Sequence, residues 1–182
     1  MEFSLTENEK QILLVTARES IRSHLEKRRG IYPEVTGKIM TALGSFVTIH
    51  INGNLRGCIG HILPVKALVE DIKTLARESA FHDPRFPALI QEELELIDIE
   101  ISVLSPLELS SPDKVIVGKH GIIMKNAYNS GVLLPQVPIE QGWNREEFLT
   151  HTCYKAGMNG DCWKDPGTQI EIFTAVVFGE TP

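Results

Sequence analysis

One dipeptide constrains this chain more than any other feature. Asn52-Gly53 stands between two apolar-rich runs, and both residues of a tight two-residue hairpin turn need positive φ, which Asn and Gly adopt at the least cost. Before it, Val47, Ile49 and Ile51 alternate with Thr48 and His50; after it comes Leu55-Arg56-Gly57-Cys58-Ile59-Gly60. An antiparallel hairpin is therefore expected. A two-residue Asn-Gly loop, whose register a different loop length would break, would pair Ile51 with Asn54, Ile49 with Arg56 and Val47 with Cys58. Arg56 and Cys58 would then share a face with Val47 and Ile49, and Leu55, Gly57 and Ile59 would take the other.

The rest of the chain mixes helices and strands without a regular βαβ rhythm. Thr6 and Glu9 fit a capping box. Leu14, Ala17, Ile21 and Leu25 follow at helical spacing, predicting a helix over 7–28 with Gly30 as its stop. Pro64 suits the first turn of a second helix, whose apolar stripe is Val65, Leu68, Val69, Ile72, Leu75 and Ala76. Ile97, Ile99, Ile101 and Val103 alternate with polar residues and predict a half-buried strand. The stretch 110–138 is turn-rich and reads as a small hairpin or three-stranded unit. A helix over 144–156, capped by Asn144 and closed by Gly157, precedes a last strand carrying Ile170, Ile172, Thr174, Val176 and Phe178. The fold class is α+β, a mainly antiparallel sheet with flanking helices.

Composition narrows the function classes. The chain has 182 residues, 42% of them hydrophobic and 23% charged, enough to bury a core without staples. The net charge is −6, and the densest basic run, Lys27-Arg28-Arg29, falls at a helix end. Nucleic-acid binding, which needs a phosphate-facing basic patch, is set aside. Cys58, Cys153 and Cys162 are an odd and sparse set, read as three thiols in a reducing compartment. Met1-Glu2-Phe3-Ser4 lacks the basic flank and apolar run of a signal peptide, and no apolar run is long enough to span a bilayer. The expectation is a cytoplasmic protein without a membrane partner.

Three clusters could carry chemistry. In the hairpin, Arg56 on an apolar face needs a partner, either an internal carboxylate, the usual fate of a buried charge, or the carboxylate or phosphate of a ligand. Gly57 and Gly60 mark a bend or a close approach by backbone or ligand. Cys58 is a nucleophile if a cation such as Arg56 or His61 activates it, and otherwise a small buried hydrophobe. Cys58 and His61 are too close in sequence to make a zinc site by themselves, and no metal site is expected. The second cluster is Phe81-His82-Asp83-Pro84-Arg85-Phe86. There His82 with Asp83 could be a base and its orienting partner, or Asp83 and Arg85 could satisfy each other in a loop anchored by two aromatics. The third is Leu133-Leu134-Pro135-Gln136-Val137-Pro138 with Glu140 and Trp143, an extended segment held by two prolines. It either presents Gln136 and Glu140 to a cleft or is a stiff connector. Common nucleotide-binding and hydrolase motifs are absent from the sequence, and no cofactor is named by it.

At Leu55-Arg56-Gly57-Cys58-Ile59-Gly60 the chain resembles the AMMECR-type family, whose signature this hexapeptide is. Ala80-Phe81-His82-Asp83-Pro84-Arg85-Phe86, Ile101-Ser102-Val103-Leu104-Ser105-Pro106, Gly118-Lys119-His120-Gly121, Leu133-Leu134-Pro135-Gln136-Val137 and Cys153-Tyr154-Lys155-Ala156-Gly157 match in order. The resemblance implies two unequal lobes, with the signature toward the space between them. The larger is expected at about 1–104 plus 165–182, the smaller inserted at about 105–164. It also implies partnership with Memo-like and radical-SAM proteins, as component A of that system, but no established activity. The resulting expectation is an enzyme component whose cleft binds a small anionic molecule. Cys58, His82 and Asp83 are its catalytic candidates, and Arg56, Gly57, Gly60, Arg85, Gln136 and Glu140 its ligand-binding candidates. The alternative is a non-catalytic protein-interaction or regulatory module.

Overall fold

The computed structural model describes residues 3–180; Met1 and Glu2, on which part of the N-terminal reading rests, lie outside the described residues. In chain order the helices and strands are α1 (Glu7–Leu25), β1 (Ser45–Ile51), β2 (Asn54–His61), α2 (Leu68–Phe81), β3 (Ile97–Leu104), β4 (Glu108–Ser110), β5 (Gly121–Lys125), β6 (Ser130–Leu133), α3 (Val137–Gln141), α4 (Arg145–Lys155), β7 (Gln169–Phe173) and β8 (Ala175–Gly179). The fold is α+β. The chain forms two compact units, one taking it up to Leu104 and again from Val176, the other Ser105–Ala175.

The first unit is a four-stranded sheet in the order β2-β1-β3-β8, with α2 packed on β1 and β2 and α1 packed on α2 and β3. Val47, Ile49, Ile99 and Ile101 meet Leu13, Ala17, Ile21, Ile72 and Leu75 in a fully buried core. The capping box of α1 forms as expected, with the Glu9 amide donating to Thr6 Oγ1 at 3.2 Å and the Thr6 amide to Glu9 Oε2 at 2.8 Å. The helix ends at Leu25, earlier than the sequence suggests, because Lys27 already takes a positive φ of 52°. Similarly, α2 starts at Leu68 rather than at Pro64. The Leu68 amide donates to Thr41 O at 2.8 Å and Ala67 bridges Ala42, which ties the chain to the 41–42 segment just before the helix.

The hairpin turn is as expected: Asn52 and Gly53 have φ of 52° and 76°, and Ile51 pairs with Asn54. The register beyond it differs. A bulge at Ile49/His50 gives β2 one extra residue, Arg56, so Gly57 pairs with Ile49, Cys58 with Thr48, Ile59 with Val47 and Gly60 with Phe46. One inserted residue flips every later side chain to the opposite face. Gly57 and Ile59, not Arg56 and Cys58, therefore share the core face with Val47 and Ile49.

The second unit has its own four-stranded sheet, β4-β7-β5-β6, with antiparallel pairings throughout and α4 packed on β5 and β6. Asn144 caps α4 through a box with Glu147, and Gly157 turns the chain away at φ 73°. Three sequence readings change here. The run from Ile170 to Phe178 is not one strand. It breaks at Thr174, whose amide and carbonyl both bond Ser105, so β7 belongs to the second sheet and β8 to the first. Residues 165–175, placed in the larger lobe from sequence, consequently fall in the second unit. The proline segment is not extended throughout: Gln136 is the N-cap of α3 and Pro138 sits in its first turn, where a missing amide hydrogen costs nothing. Finally, Cys153 and Cys162 are joined in a disulfide with Cα atoms 5.8 Å apart, leaving Cys58 as the free cysteine. No helix among the described residues is long and apolar enough to cross a membrane.

Candidate functional site

The hexapeptide Leu55-Arg56-Gly57-Cys58-Ile59-Gly60 lies on β2, an outer strand of the first sheet. An edge strand carries backbone donors and acceptors without a neighbouring strand, and here side chains take that place. The Cys58 amide donates to Asp83 Oδ2 at 2.9 Å, and the Cys58 carbonyl accepts from Arg85 Nη2 at 3.2 Å. On the inner side, Ser79 of α2 bridges the two strands of the hairpin. Its Oγ accepts from the Ile59 amide at 2.9 Å and donates to the Val47 carbonyl at 2.8 Å.

This close packing accounts for both glycines. A Cβ at Gly57 would stand 2.1 Å from the Ser79 carbonyl oxygen. At Gly60 it would stand 2.1 Å from the Phe46 ring and 2.6 Å from the Ser45 carbonyl oxygen. The close approach at each position is made by the protein itself.

Both arginines have carboxylate partners within the unit. Arg56 is 12% exposed and grips Glu93 with two bonds of 2.9 Å, Nε to Oε1 and Nη2 to Oε2; its Nη1 reaches the Pro87 carbonyl. Glu93 is held below the usual carboxylate range, chiefly by Arg56, against the opposing effect of burial. Asp83 is a saturated acceptor. It takes bonds from Arg85 Nε, Nη2 and amide as well as from the Cys58 amide. The Arg85 guanidinium holds the Asp83 carboxyl far below its ordinary value. The geometry is thus that of the mutually satisfied Asp83–Arg85 loop, and Asp83 does not orient His82. Exposed at the C-cap of α2, His82 instead has Nδ1 3.3 Å from Glu78 Oε1.

Cys58 projects from the other face of the sheet, half-buried, with Sγ 3.2 Å from Thr48 Oγ1. Glu100 pairs with Thr48 across β3, so Cys58, Thr48 and Glu100 form one row on that face. Arg85 is the nearby cation, its pKa raised chiefly by its bonds to Asp83. Arg85 is 55% exposed, so its guanidinium keeps an edge toward solvent. His61 does not serve Cys58. Three residues along the same strand it points to the α2 face, and the two cannot converge on one ligand. Gln136 and Glu140 are exposed in the second unit.

Sequence reading brought out Arg56, Cys58, Asp83 and Arg85, which the structure gathers around β2. It missed Ser79, Glu93, Thr48 and Asp71. A signal for two of them was present: Ser79 and Asp71 interrupt the apolar stripe of α2 at positions that face the sheet, where a polar side chain needs a partner.

Known proteins resemble the chain over nearly its full length. The family model described as AMMECR1 matches residues 14–178. Protein TK0174 of Thermococcus kodakarensis is 40% identical, covering 93% of this chain and 89% of that protein. Protein NEQ441 of Nanoarchaeum equitans is 43% identical, covering 90% and 96%. Among solved structures, the crystal structure of uncharacterized protein PH0010 from Pyrococcus horikoshii superposes with a TM-score of 0.81 at 40% identity, covering 98% of this chain and 95% of that one.

Proposed function

The chain belongs to the AMMECR1 family, and from that premise we propose that it is an enzyme component that handles a small anionic molecule, with Cys58 as the reacting group and Arg85 as the anion-binding cation. The observation that carries this reading is the setting of Cys58. It is a free thiol, half-buried on the sheet face rather than in the core, hydrogen-bonded to Thr48 Oγ1 at 3.2 Å. Its own backbone is fixed on both sides by Asp83 and Arg85. A thiol that was only core filler would gain nothing from that arrangement, whereas a reacting thiol benefits from a fixed position beside a cation. Memo-like and radical-SAM proteins are the proposed partners.

Site-resolved alkylation of Cys58 by iodoacetamide in the native protein tests the reading. Cys58 is expected to react without unfolding, to react more slowly in Arg85→Ala, and to be protected by inorganic phosphate. A thiol that reacts only after denaturation overturns it.

A second reading, a non-catalytic interaction module, is favoured by a separate observation: the bidentate pairs Arg56–Glu93 and Arg85–Asp83 leave both guanidinium charges balanced inside the unit. Under it, binding of a Memo-like partner in co-purification survives Cys58→Ser unchanged.

A further inference from the structure

At its far end β2 carries a second polar constellation, on the opposite face from Cys58. His61 pairs with Ser45 in the sheet register. Its Nδ1 lies 3.0 Å and 3.2 Å from the two carboxylate oxygens of Asp71. The Asp71 side chain is fully buried, whereas that of His61 is 38% exposed. Ser45, also buried, directs its Oγ toward Asp71 Oδ2 at 3.5 Å.

Asp71 lies in the first turn of α2, where the positive end of the helix dipole favours a carboxylate, but apolar packing does not call for one here. Asp71 occupies the stripe of α2 between Leu68 and Leu75, both fully buried, where an apolar side chain would pack without desolvation cost. Ala67 is the N-cap, and no side chain makes a capping bond at this end of the helix. A buried carboxylate is costly unless it is well partnered, and beside the helix N-terminus its partners are the half-exposed imidazole of His61 and, at 3.5 Å, the Ser45 hydroxyl. What the arrangement accomplishes is orientation. A carboxylate accepting from Nδ1–H fixes the tautomer, leaving Nε2 as a lone-pair acceptor. Nε2 makes no hydrogen bond among the described residues.

We propose that His61 and Asp71 form a second functional site, in which His61 Nε2 takes a proton from the hydroxyl of a small ligand and Asp71 is the positioning residue. In that step the ligand's O–H bond breaks, an Nε2–H bond forms, and the resulting imidazolium is balanced by the Asp71 carboxylate while the ligand oxygen is left as an alkoxide or nucleophile. The ligand class is a hydroxyl-bearing molecule with an apolar flank. Two and four residues after His61 the chain exposes Leu63 and Val65, at 60% and 63%. Of the neighbouring cations, Lys66 in the loop before α2 donates to Thr74, and Lys73 on α2 to Glu70.

Two measurements test the site. In nitrogen-labelled protein near pH 8, above the ordinary histidine pKa of about 6.5, long-range proton–nitrogen NMR is expected to show His61 protonated at Nδ1 and bare at Nε2. A doubly protonated ring identifies a closed structural ion pair and overturns the proposal. Diethyl pyrocarbonate then probes Nε2 directly: the nitrogen attacks a carbonyl, and ethyl carbonate leaves and decays to ethanol and carbon dioxide. His61 is expected to be modified faster than the more exposed His82. Asp71→Asn, whose amide can donate to Nδ1 and reverse the tautomer, is expected to slow that reaction by about tenfold or more. An unchanged rate in a folded Asp71→Asn protein refutes the positioning role, and if that variant does not fold the wild-type spectrum decides.

Discussion

The two units use the same architecture, a four-stranded antiparallel sheet with a helix against it, but secure it differently. The first has a large core in which α1, α2, β1 and β3 contribute buried Leu, Ile, Val and Ala side chains. Its polar side chains can therefore be committed to the edge of β2, where Asp83, Arg85 and Ser79 take up the strand's backbone groups. The second has a smaller buried cluster built from Val115, Ile122, Met124, Phe148, Leu149 and Ile170, completed by the Cys153–Cys162 disulfide lying against Met124. Small cores supply too little apolar burial to be secure by themselves, and a covalent staple compensates. Polar precision is affordable where hydrophobic burial is ample, and cross-linking appears where it is not.

Both tryptophans, Trp143 and Trp163, belong to the second unit, so their fluorescence follows that unit while circular dichroism follows both. The largest effect is expected from Gly57→Ala. The added Cβ meets a backbone carbonyl, which cannot step aside as a side-chain tip can, and the first unit should lose about 3 kcal/mol or more. Urea unfolding by circular dichroism should show an early phase while the tryptophan midpoint stays in place. A shift of both together would mean that the two units unfold as one.

Replacing Cys153 and Cys162 with Ser comes next. The bridge closes a short loop, nine residues apart in sequence, and its loss should cost the second unit about 2–3 kcal/mol. The tryptophan transition moves and the first unit's does not. A first unit destabilised equally would remove the contrast between the two.

The smallest of the three effects is Asp83→Asn, at roughly 1–3 kcal/mol near neutral pH from the loss of a charge-assisted acceptor. Its pH dependence sharpens the comparison. The folded pKa of Asp83 is depressed by Arg85, so its contribution is fully present above the unfolded value of about 3.9 and is lost as pH falls toward the folded value. Between about pH 4 and pH 2 the first unit of the wild type should lose stability more steeply than that of Asp83→Asn. Parallel curves would show that the carboxylate's charge does not hold the edge.

Much of this was legible in the chain. The Asn52-Gly53 turn, the capping boxes at Thr6 and Asn144, and the alternation of Ile97 to Val103 determined elements whose causes are local, because turn φ values, cap bonds and two-residue periodicity depend only on neighbours in sequence. The ordered motifs likewise identified the family. Only tertiary structure decided the rest. The bulge at Arg56 depends on Glu93 and Pro87, more than thirty residues away, and it alone determines which face Cys58 occupies. The division of the last apolar run at Thr174 depends on Ser105, and the pairing of Cys153 with Cys162 on how α4 meets the loop that follows it. Gly57 could be read as a close approach, but not that Ser79 makes it. Nor could the chain show that the buried Asp71 meets His61. Each of these depends on how separate elements pack against one another, so no local pattern encodes it.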